Sequence, residues 1–85
     1  MYFIYILKCA DGTLYTGSTK KQVEKRLHEH NNLKSGAKYT RARRPVELIY
    51  QEKCKDYARS REREAEIKRM TREEKLEFLK NNSSS

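Results

Sequence analysis

The chain has 85 residues, enough for one compact domain with a single thin core and too few for a large enclosed small-molecule pocket. Its formal net charge of +8 points to a polyanionic partner, with nucleic acid as the first candidate. No apolar run approaches the roughly 18–20 residues of a membrane span, and the opening run over 2–7 is too short for a signal-peptide core. We therefore expect a cytoplasmic protein that does not bind membranes.

The two cysteines, Cys9 and Cys54, do not form a Cys-x-x-Cys motif. Because thiols stay reduced in the cytoplasm, we expect both to fill the core and to form no disulfide.

The first predicted elements are two strands joined by a turn. Residues 2–8 are apolar and rich in aromatic and β-branched side chains, which favours a strand. Asp11-Gly12 indicates a turn, and residues 13–18 have the composition of a returning strand. The pattern predicts a β-hairpin.

The length of the hairpin loop decides which side chains share a face. A three-residue loop over 10–12 pairs Tyr5 with Gly17 and places Tyr5 and Tyr15 on the same face, because side chains alternate along a strand. It also places Gly12 where a left-handed residue is needed. A two-residue Asp-Gly loop would send the two tyrosines to opposite faces.

The rest of the chain is predicted to be mostly helical. Residues 22–31 have helical spacing, with Val23 and Leu27 on one side and Arg26 and His30 on another. Ser18 or Thr19 is expected to cap this helix, which is followed by a basic connection over 33–45 with room for one helical turn and by a strand over 46–50. A helix over about 57–70 is expected to be capped by Asp56, and a last helix to run from the capping box Thr71-Arg72-Glu73-Glu74 to Leu79. Residues 81–85 are expected to form a disordered tail. The order β-β-α-β-α-α predicts an α+β fold, with a small three-stranded antiparallel sheet flanked by helices, in a single domain over residues 1–80.

Several short motifs together resemble the GIY-YIG nuclease family, in particular its small stand-alone bacterial members. They are Phe3-Ile4-Tyr5, Tyr15-Thr16-Gly17, Arg26 with His30, Arg63-Glu64 with Ile67-Lys68, and the stretch Gly36-Ala37-Lys38-Tyr39-Thr40-Arg41 with Arg43-Arg44-Pro45-Val46. The first two depart from the letters that name the family, since Phe3 replaces a glycine and Thr16 an isoleucine. The resemblance extends from residue 2 to about residue 79.

The resemblance implies that the protein hydrolyses phosphodiester bonds with one divalent ion, Mg²⁺ or Mn²⁺, and that its partner is nucleic acid, DNA rather than RNA. Glu64 would hold the metal. Arg26, one turn before His30, would face the scissile phosphate. Tyr5 would accept the proton of the attacking water, and Tyr15 would position that water or exchange roles with Tyr5.

Two physical requirements follow from these implied roles. Gly17, opposite Tyr5, would leave room for backbone or water to approach. A phenol has a pKa near 10, so a base at neutral pH needs roughly 3–4 kcal/mol of differential stabilisation of the phenolate. We expect the surrounding cations to supply it.

Each residue also has a plainer interpretation. In that interpretation the tyrosines are ordinary strand residues, and Arg26 and His30 lie on a solvated helix face. Glu64 has the spacing of a surface ion pair with Lys68. Glu62 and Glu66 are alternative carboxylates between which helical spacing does not choose; the resemblance selects Glu64. The family's C-terminal asparagine is matched only loosely, by Asn81 or Lys75.

The densest basic segment is predicted to contact phosphates rather than bases. Its candidate nucleic-acid-binding residues are Lys38, Tyr39, Arg41, Arg43 and Arg44, and the alternative is a solvated loop. The alternative function is a nucleic-acid-binding module of the same fold with little or no catalysis; a basic protein-interaction domain is a third, weaker one.

Overall fold

The computed structural model describes residues 1–20, 22–32 and 38–82. The elements within them are β1 (Tyr2–Lys8), β2 (Leu14–Thr19), α1 (Val23–Asn32), α2 (Lys38–Arg41), β3 (Glu47–Cys54), α3 (Tyr57–Lys68) and α4 (Arg72–Asn81). The strands form an antiparallel sheet in the order β2-β1-β3. The predicted α+β fold, with a three-stranded antiparallel sheet flanked by helices, is confirmed.

The hairpin has the register that the three-residue loop predicts. Tyr5 pairs with Gly17, and Gly12 has a φ of 85°, in the left-handed region that glycine adopts without strain. Tyr5 and Tyr15 both pack into the hydrophobic cluster on one face of the sheet. The two tyrosines therefore share a face, as the parity of the loop requires.

The sheet separates two hydrophobic clusters. The cluster beneath α1 consists of buried Tyr5, Leu7, Cys9, Val23 and Val46. The cluster beneath α3 consists of buried Ile4, Ile6, Cys54 and Ile67, with Phe78 and Leu79 of α4 packed against it. Alternate residues of β1 serve opposite clusters, which explains why the central strand is apolar at nearly every position. Cys9 and Cys54 are buried free thiols in different clusters.

Side-chain caps define the starts of the last two helices as predicted. Asp56 accepts a hydrogen bond from the backbone N–H of Arg59 at 2.8 Å. Thr71 and Glu74 form the reciprocal capping box, with distances of 3.1 and 2.8 Å. None of the helices in the described part of the chain is long and apolar enough to cross a membrane.

Three predicted boundaries were wrong. Ser18 and Thr19 do not cap α1, because both pair with β1 and extend β2. Strand β3 continues to Cys54 rather than ending at residue 50. The predicted disordered tail over 81–85 begins too early, because Asn81 is still in α4 and Asn82 is its C-cap; residues 83–85 lie outside the described residues.

The end of α1 is fixed to the start of β3 by one side chain. The Asn31 amide donates to the carbonyl of Val46 at 3.0 Å and accepts from its N–H at 2.7 Å. This pair of bonds imitates the exchange between two strand residues. It fixes the position of the neighbouring His30 relative to the sheet.

Candidate active site

A buried chain of hydrogen bonds joins β1, α1 and α2. The Tyr5 hydroxyl lies 2.8 Å from His30 Nε2, and His30 Nδ1 lies 2.7 Å from Thr40 Oγ1. Tyr5 is 1% exposed, and His30 and Thr40 are fully buried. The solvated-face interpretation of His30 was therefore wrong, and its ring is oriented from both sides.

Arg26 lies beside the same phenol. It hydrogen-bonds Tyr5 and pairs with Glu29 at 2.6 Å. A guanidinium only donates hydrogen bonds, so it leaves the Tyr5 O–H free to donate to His30 Nε2. The arrangement that satisfies every group has His30 donating from Nδ1 to Thr40.

The protonation of Tyr5 differs from the expectation. We expected cations to lower the pKa of the phenol, but burial raises the pKa of Tyr5 to about 12, against a smaller lowering by Arg26. Desolvation disfavours the charged phenolate more than one guanidinium stabilises it. Tyr5 is therefore a neutral hydroxyl at pH 7.

His30 is also neutral at pH 7. Burial, assisted by the cations Arg26 and Arg44, lowers the pKa of its imidazole to about 4, despite the opposing effect of Glu29. A neutral imidazole that receives the Tyr5 hydrogen bond is a proton acceptor. The group able to take a proton from Tyr5 is thus already in contact with it.

Tyr15 contacts the aromatic rings of His30 and Tyr39. Its ring packs edge-on against His30 with centroids 5.4 Å apart, and stacks on Tyr39 at 5.8 Å. The Arg43 guanidinium covers the Tyr39 ring at 3.8 Å. Tyr39, 38% exposed, is therefore already stacked with two side chains.

Gly17 is required by the path of the Tyr5 side chain. A β-carbon at residue 17 would lie 2.6 Å from the Tyr5 hydroxyl oxygen and 3.0 Å from the Tyr15 ring. The phenol of Tyr5 thus crosses over the backbone of the edge strand β2. The space that sequence analysis assigned to water or backbone is filled by Tyr5 itself.

Glu64 comes to the same edge of the sheet from the opposite face. Its carboxylate accepts a hydrogen bond from Ser18 at 3.2 Å and pairs with Lys68 at 3.0 Å. It is also near enough to Tyr5 to raise the phenol's pKa. Glu64 is therefore held beside β2, next to the strand residue that Tyr5 crosses.

The two neighbouring carboxylates of α3 point elsewhere. Glu62 pairs with Arg59 at 3.3 Å. Glu66 pairs with Arg63 at 3.2 Å, and Arg63 in turn binds Glu52 of β3. Of the three glutamates that sequence spacing left open, Glu64 is the one that contacts β2.

The carboxylate fits the oxygen chemistry of a hydrated divalent ion. Within residues 1–20, 22–32 and 38–82, no three His, Cys, Asp or Glu side chains are grouped to hold a metal. Mg²⁺ commonly binds through one or two carboxylates, water and substrate phosphate. Glu64 is half-buried with the Ser18 hydroxyl beside it, which suits this mode of binding. Water and the substrate phosphate would supply the remaining ligands of the ion.

The predicted nucleic-acid-binding residues fall into two groups. Lys38 and Arg41 of α2 are exposed. Arg43 pairs with Asp11 at 3.1 Å and donates to the Tyr39 carbonyl, and Arg44 donates to the carbonyls of His30 and Glu29. The latter two arginines hold α2 and the hairpin turn against α1. Residues 33–37 of the basic segment lie outside the described residues.

Sequence analysis missed two contributors to the site. Thr40 is ten residues beyond His30 and outside its helix, so no helical spacing connects the two. Ser18 was predicted at the end of the second strand and, with Thr19, as a candidate helix cap; alternation along β2 would have placed its side chain on the face of α3. For the C-terminal position, the Lys68 cation adds to the effect of burial in lowering the pKa of Lys75, which places Lys75 near the partner of Glu64.

Comparison with known proteins identifies the family of the chain. The sequence profile described as the GIY-YIG catalytic domain matches residues 1–77. A UPF0213 protein of Syntrophus aciditrophicus is 52% identical over 80 residues, covering 94% of this chain and 91% of that protein. A UPF0213 protein of Staphylococcus epidermidis is 53% identical over 78 residues, covering 92% and 93%.

A solved structure extends the likeness to the fold. The solution NMR structure of the UPF0213 protein BH0048 from Bacillus halodurans aligns with a TM-score of 0.64 and 33% identity, and covers 99% of this chain and 88% of that one. The family profile and the two relatives together cover almost the whole chain. The chain belongs to the GIY-YIG family.

Proposed function

We propose that the protein is an endonuclease that hydrolyses DNA phosphodiester bonds with one divalent ion, either without sequence preference or selectively for DNA structure. The observation that carries the proposal is that the phenol of the buried Tyr5–His30 hydrogen bond and the Glu64 carboxylate contact adjacent residues of β2, Gly17 and Ser18 respectively. The family to which the chain belongs consists generally of endonucleases that use a divalent metal.

The proton path begins at the Tyr5 hydroxyl. As water attacks phosphorus, it gives a proton to the Tyr5 oxygen while the Tyr5 proton moves to His30 Nε2, so the buried phenol never carries a full charge. This relay avoids the phenolate that burial disfavours. The new P–O bond replaces the bond to the leaving oxygen, which takes a proton from solvent.

Arg26 and Tyr15 have supporting roles in the proposal. Arg26, half-buried beside Tyr5, is placed to offset the charge that builds on the phosphate in the transition state. Tyr15 packs against His30 and borders the position of the attacking water.

A divalent ion on Glu64 would stabilise charge on the phosphate and leaving oxygens. Before it binds, Glu64 is held by Ser18 and Lys68. The phosphate supplies ligands that the chain does not, so metal affinity without nucleic acid should be weak.

Composition supports a site that is open to a long polyanion. The net charge is +8, and exposed Lys38 and Arg41 lie on α2, which also supplies Thr40 to the site. We place the protein in the cytoplasm, where DNA is accessible and the buried thiols stay reduced.

The second candidate function is a nucleic-acid-binding module that has lost catalysis. It is favoured by Thr16, whose buried hydroxyl has no hydrogen-bond partner among the described residues, because this marks a departure from the family motif inside the core. It is also favoured by the raised pKa of Tyr5.

A cleavage panel separates the two functions. Single-stranded, duplex, flap and branched DNA and the corresponding RNAs are incubated with wild-type protein, Glu64→Ala and Glu62→Ala in Mg²⁺ or Mn²⁺. We expect cutting of DNA by the wild type, no cutting by Glu64→Ala with DNA binding retained, and near-normal cutting by Glu62→Ala.

A different result would contradict each proposed role. Metal-dependent cutting that survives Glu64→Ala would contradict the role of Glu64 as the metal ligand. Full activity of Tyr5→Phe would remove Tyr5 from the proton path. Binding without cutting of any substrate in Mn²⁺ would establish the second function.

A further inference from the structure

One face of α3 forms a shallow cavity beside Glu64. Its helix residues lie at positions 57, 61, 64, 65 and 68, a spacing that places them on one side of the helix. The cavity, of about 250 Å³, is lined by Ser18, Tyr57, Arg61, Glu64, Ala65 and Lys68. The candidate metal carboxylate thus lines a pocket that the proton path described above does not use.

The rim of this cavity is aromatic and cationic. Tyr57 is 53% exposed, and its ring lies 5.5 Å from that of Tyr2, tilted by 55°. The Arg61 guanidinium lies 5.7 Å from the Tyr57 ring and donates to its hydroxyl at 3.0 Å. The Lys20 ammonium lies 5.7 Å from the Tyr2 ring. We call these four residues the tyrosine ledge.

The ledge differs from the other aromatic group on the surface. Tyr39 is stacked between Tyr15 and Arg43, whereas Tyr57 has its aromatic neighbour at a tilt and keeps half of its surface exposed. A large exposed aromatic ring with cations around it is a stacking platform for a base, with its phosphates neutralised alongside.

Base pairing decides which nucleic acid can use such a platform. In a duplex each base is stacked between its neighbours, and its face is inaccessible. Only an unpaired or flipped base can lie on a side chain. A ledge that adjoins the carboxylate would then hold a nucleotide next to the phosphate being cut.

We propose that the tyrosine ledge binds an unpaired nucleotide adjoining the scissile phosphate, so that the substrate is DNA with a single-stranded segment at the cleavage position. The position of the phosphate rests on the proposed function. The stacking on Tyr57 rests on the ledge alone and can be measured without cleavage.

The test measures binding in EDTA, where no metal-dependent cutting occurs. Fluorescence anisotropy compares a 12-nucleotide oligothymidylate with a 12-base-pair duplex. Stacking of one base corresponds to a roughly 5- to 150-fold change in affinity, so Tyr57→Ala should weaken single-strand binding by that factor and duplex binding by less than about twofold. Tyr57→Phe should bind both like wild type.

Two controls address folding and nonspecific contact. Tyr57 is the first residue of α3 and exposed, and alanine is a good helix former; circular dichroism of Tyr57→Ala should match wild type. Leu76→Ala removes another exposed apolar side chain, on α4, and should change neither affinity. A 2-aminopurine in the oligothymidylate should be quenched by wild type and Tyr57→Phe, but much less by Tyr57→Ala.

The outcomes for the ledge and for the nuclease are separable. Equal single-strand affinity of wild type and Tyr57→Ala, or an equal loss on both probes, overturns the ledge even if the protein cuts DNA. Selective loss on the single strand, with no cutting of any substrate in Mg²⁺ or Mn²⁺, overturns the nuclease and leaves the ledge as a single-strand binding site.

Discussion

The phenol of Tyr5 lies over the backbone of Gly17, its partner on the next strand, and a β-carbon at position 17 would be 2.6 Å from the phenol oxygen. Residue 17 therefore has no side chain that could separate the phenol of Tyr5 from the backbone of β2. The contact also holds the phenol in position to reach His30.

Gly17→Ala should displace the Tyr5 ring and lengthen its hydrogen bond to His30. We expect an activity loss of at least tenfold and a destabilisation of about 1–3 kcal/mol, as in other overpacked sites. Cleavage assays and urea denaturation measure the two effects. Gly12→Ala is the control: it meets no atom within 4 Å but has a φ of 85°, so it should cost about 1 kcal/mol and leave activity intact. Equal activity of both variants would contradict the geometry.

Thr40 contacts His30, so in the proposed mechanism it acts through His30 rather than on substrate. Thr40→Val keeps the shape of the side chain but leaves the buried Nδ1 of His30 without a partner, at a cost of about 1–3 kcal/mol. We expect kcat to fall with little change in KM, since the imidazole can rotate or change tautomer. Thr40→Ser keeps the hydroxyl and should retain kcat; an equal fall in both variants would mean that the packing of the whole threonine side chain, and not its hydroxyl alone, is what matters.

The same change from threonine to valine should stabilise the protein at position 16, whereas it destabilises the protein at position 40. The hydroxyl of Thr16 is buried without a hydrogen-bond partner among the described residues, at the position where the family motif has isoleucine. Thr16→Val should therefore raise the free energy of unfolding by about 1 kcal/mol and Tm by roughly 4–8 °C. A calorimetric scan that shows a lower Tm would reveal a partner for this hydroxyl.

The low pKa of His30 makes stability depend on pH. Its value falls from 6.5 to about 4 on folding, so the unfolded chain binds a proton between these pH values that the folded protein does not. Stability should decrease as pH falls from 6.5 to 4, by about 3 kcal/mol in all. Urea denaturation at pH 7 and 4.5 measures the difference.

Glutamine variants isolate this effect from the titration of carboxylates. His30→Gln should lose the part of the pH dependence that lies between 4 and 6.5. His28→Gln, at an exposed position of the same helix, should keep it. An unchanged pH profile in His30→Gln would show that other groups are responsible.

Substitutions in the basic segment should differ in their effect on the salt dependence of DNA binding. The double substitution Lys38→Gln/Arg41→Gln removes the exposed charges. It should make the negative slope of log K for duplex DNA binding against log salt shallower by about 2, and should leave the free energy of unfolding unchanged. Arg44→Gln should instead destabilise the fold, because it breaks the bonds to the carbonyls of His30 and Glu29. The reverse pattern would return Arg44 to the phosphate-binding group.

Short-range sequence patterns were enough to predict the hairpin register and the starts of two helices. The parity of one loop predicted the pairing of Tyr5 with Gly17, and capping residues predicted the starts of α3 and α4. Such features depend on neighbours within a few residues. The predicted helix cap at Ser18 or Thr19 was wrong for the complementary reason: pairing with β1 keeps both of these residues, which are good capping types, in the strand.

The electrostatics of the site were not predictable in the same way. The strongly basic composition led us to expect that cations lower the pKa of Tyr5, yet that pKa rises because burial outweighs the effect of Arg26, and burial is a property of the whole fold. Arg43 and Arg44 are indistinguishable from Arg41 by composition. Two backbone carbonyls of α1 bind Arg44, and Asp11 of the hairpin turn binds Arg43, partners that only the folded chain brings together.

The three-residue hairpin turn also limits how this protein can change in length. Deleting one residue from the turn, or inserting one, would reverse the orientation of every later side chain of β2 relative to β1. Tyr15 would move to the side of α3, and Ser18 would leave Glu64. Additions of sequence in this turn should therefore be tolerated in steps of two, and an engineered loop or peptide tag placed there should respect the same rule.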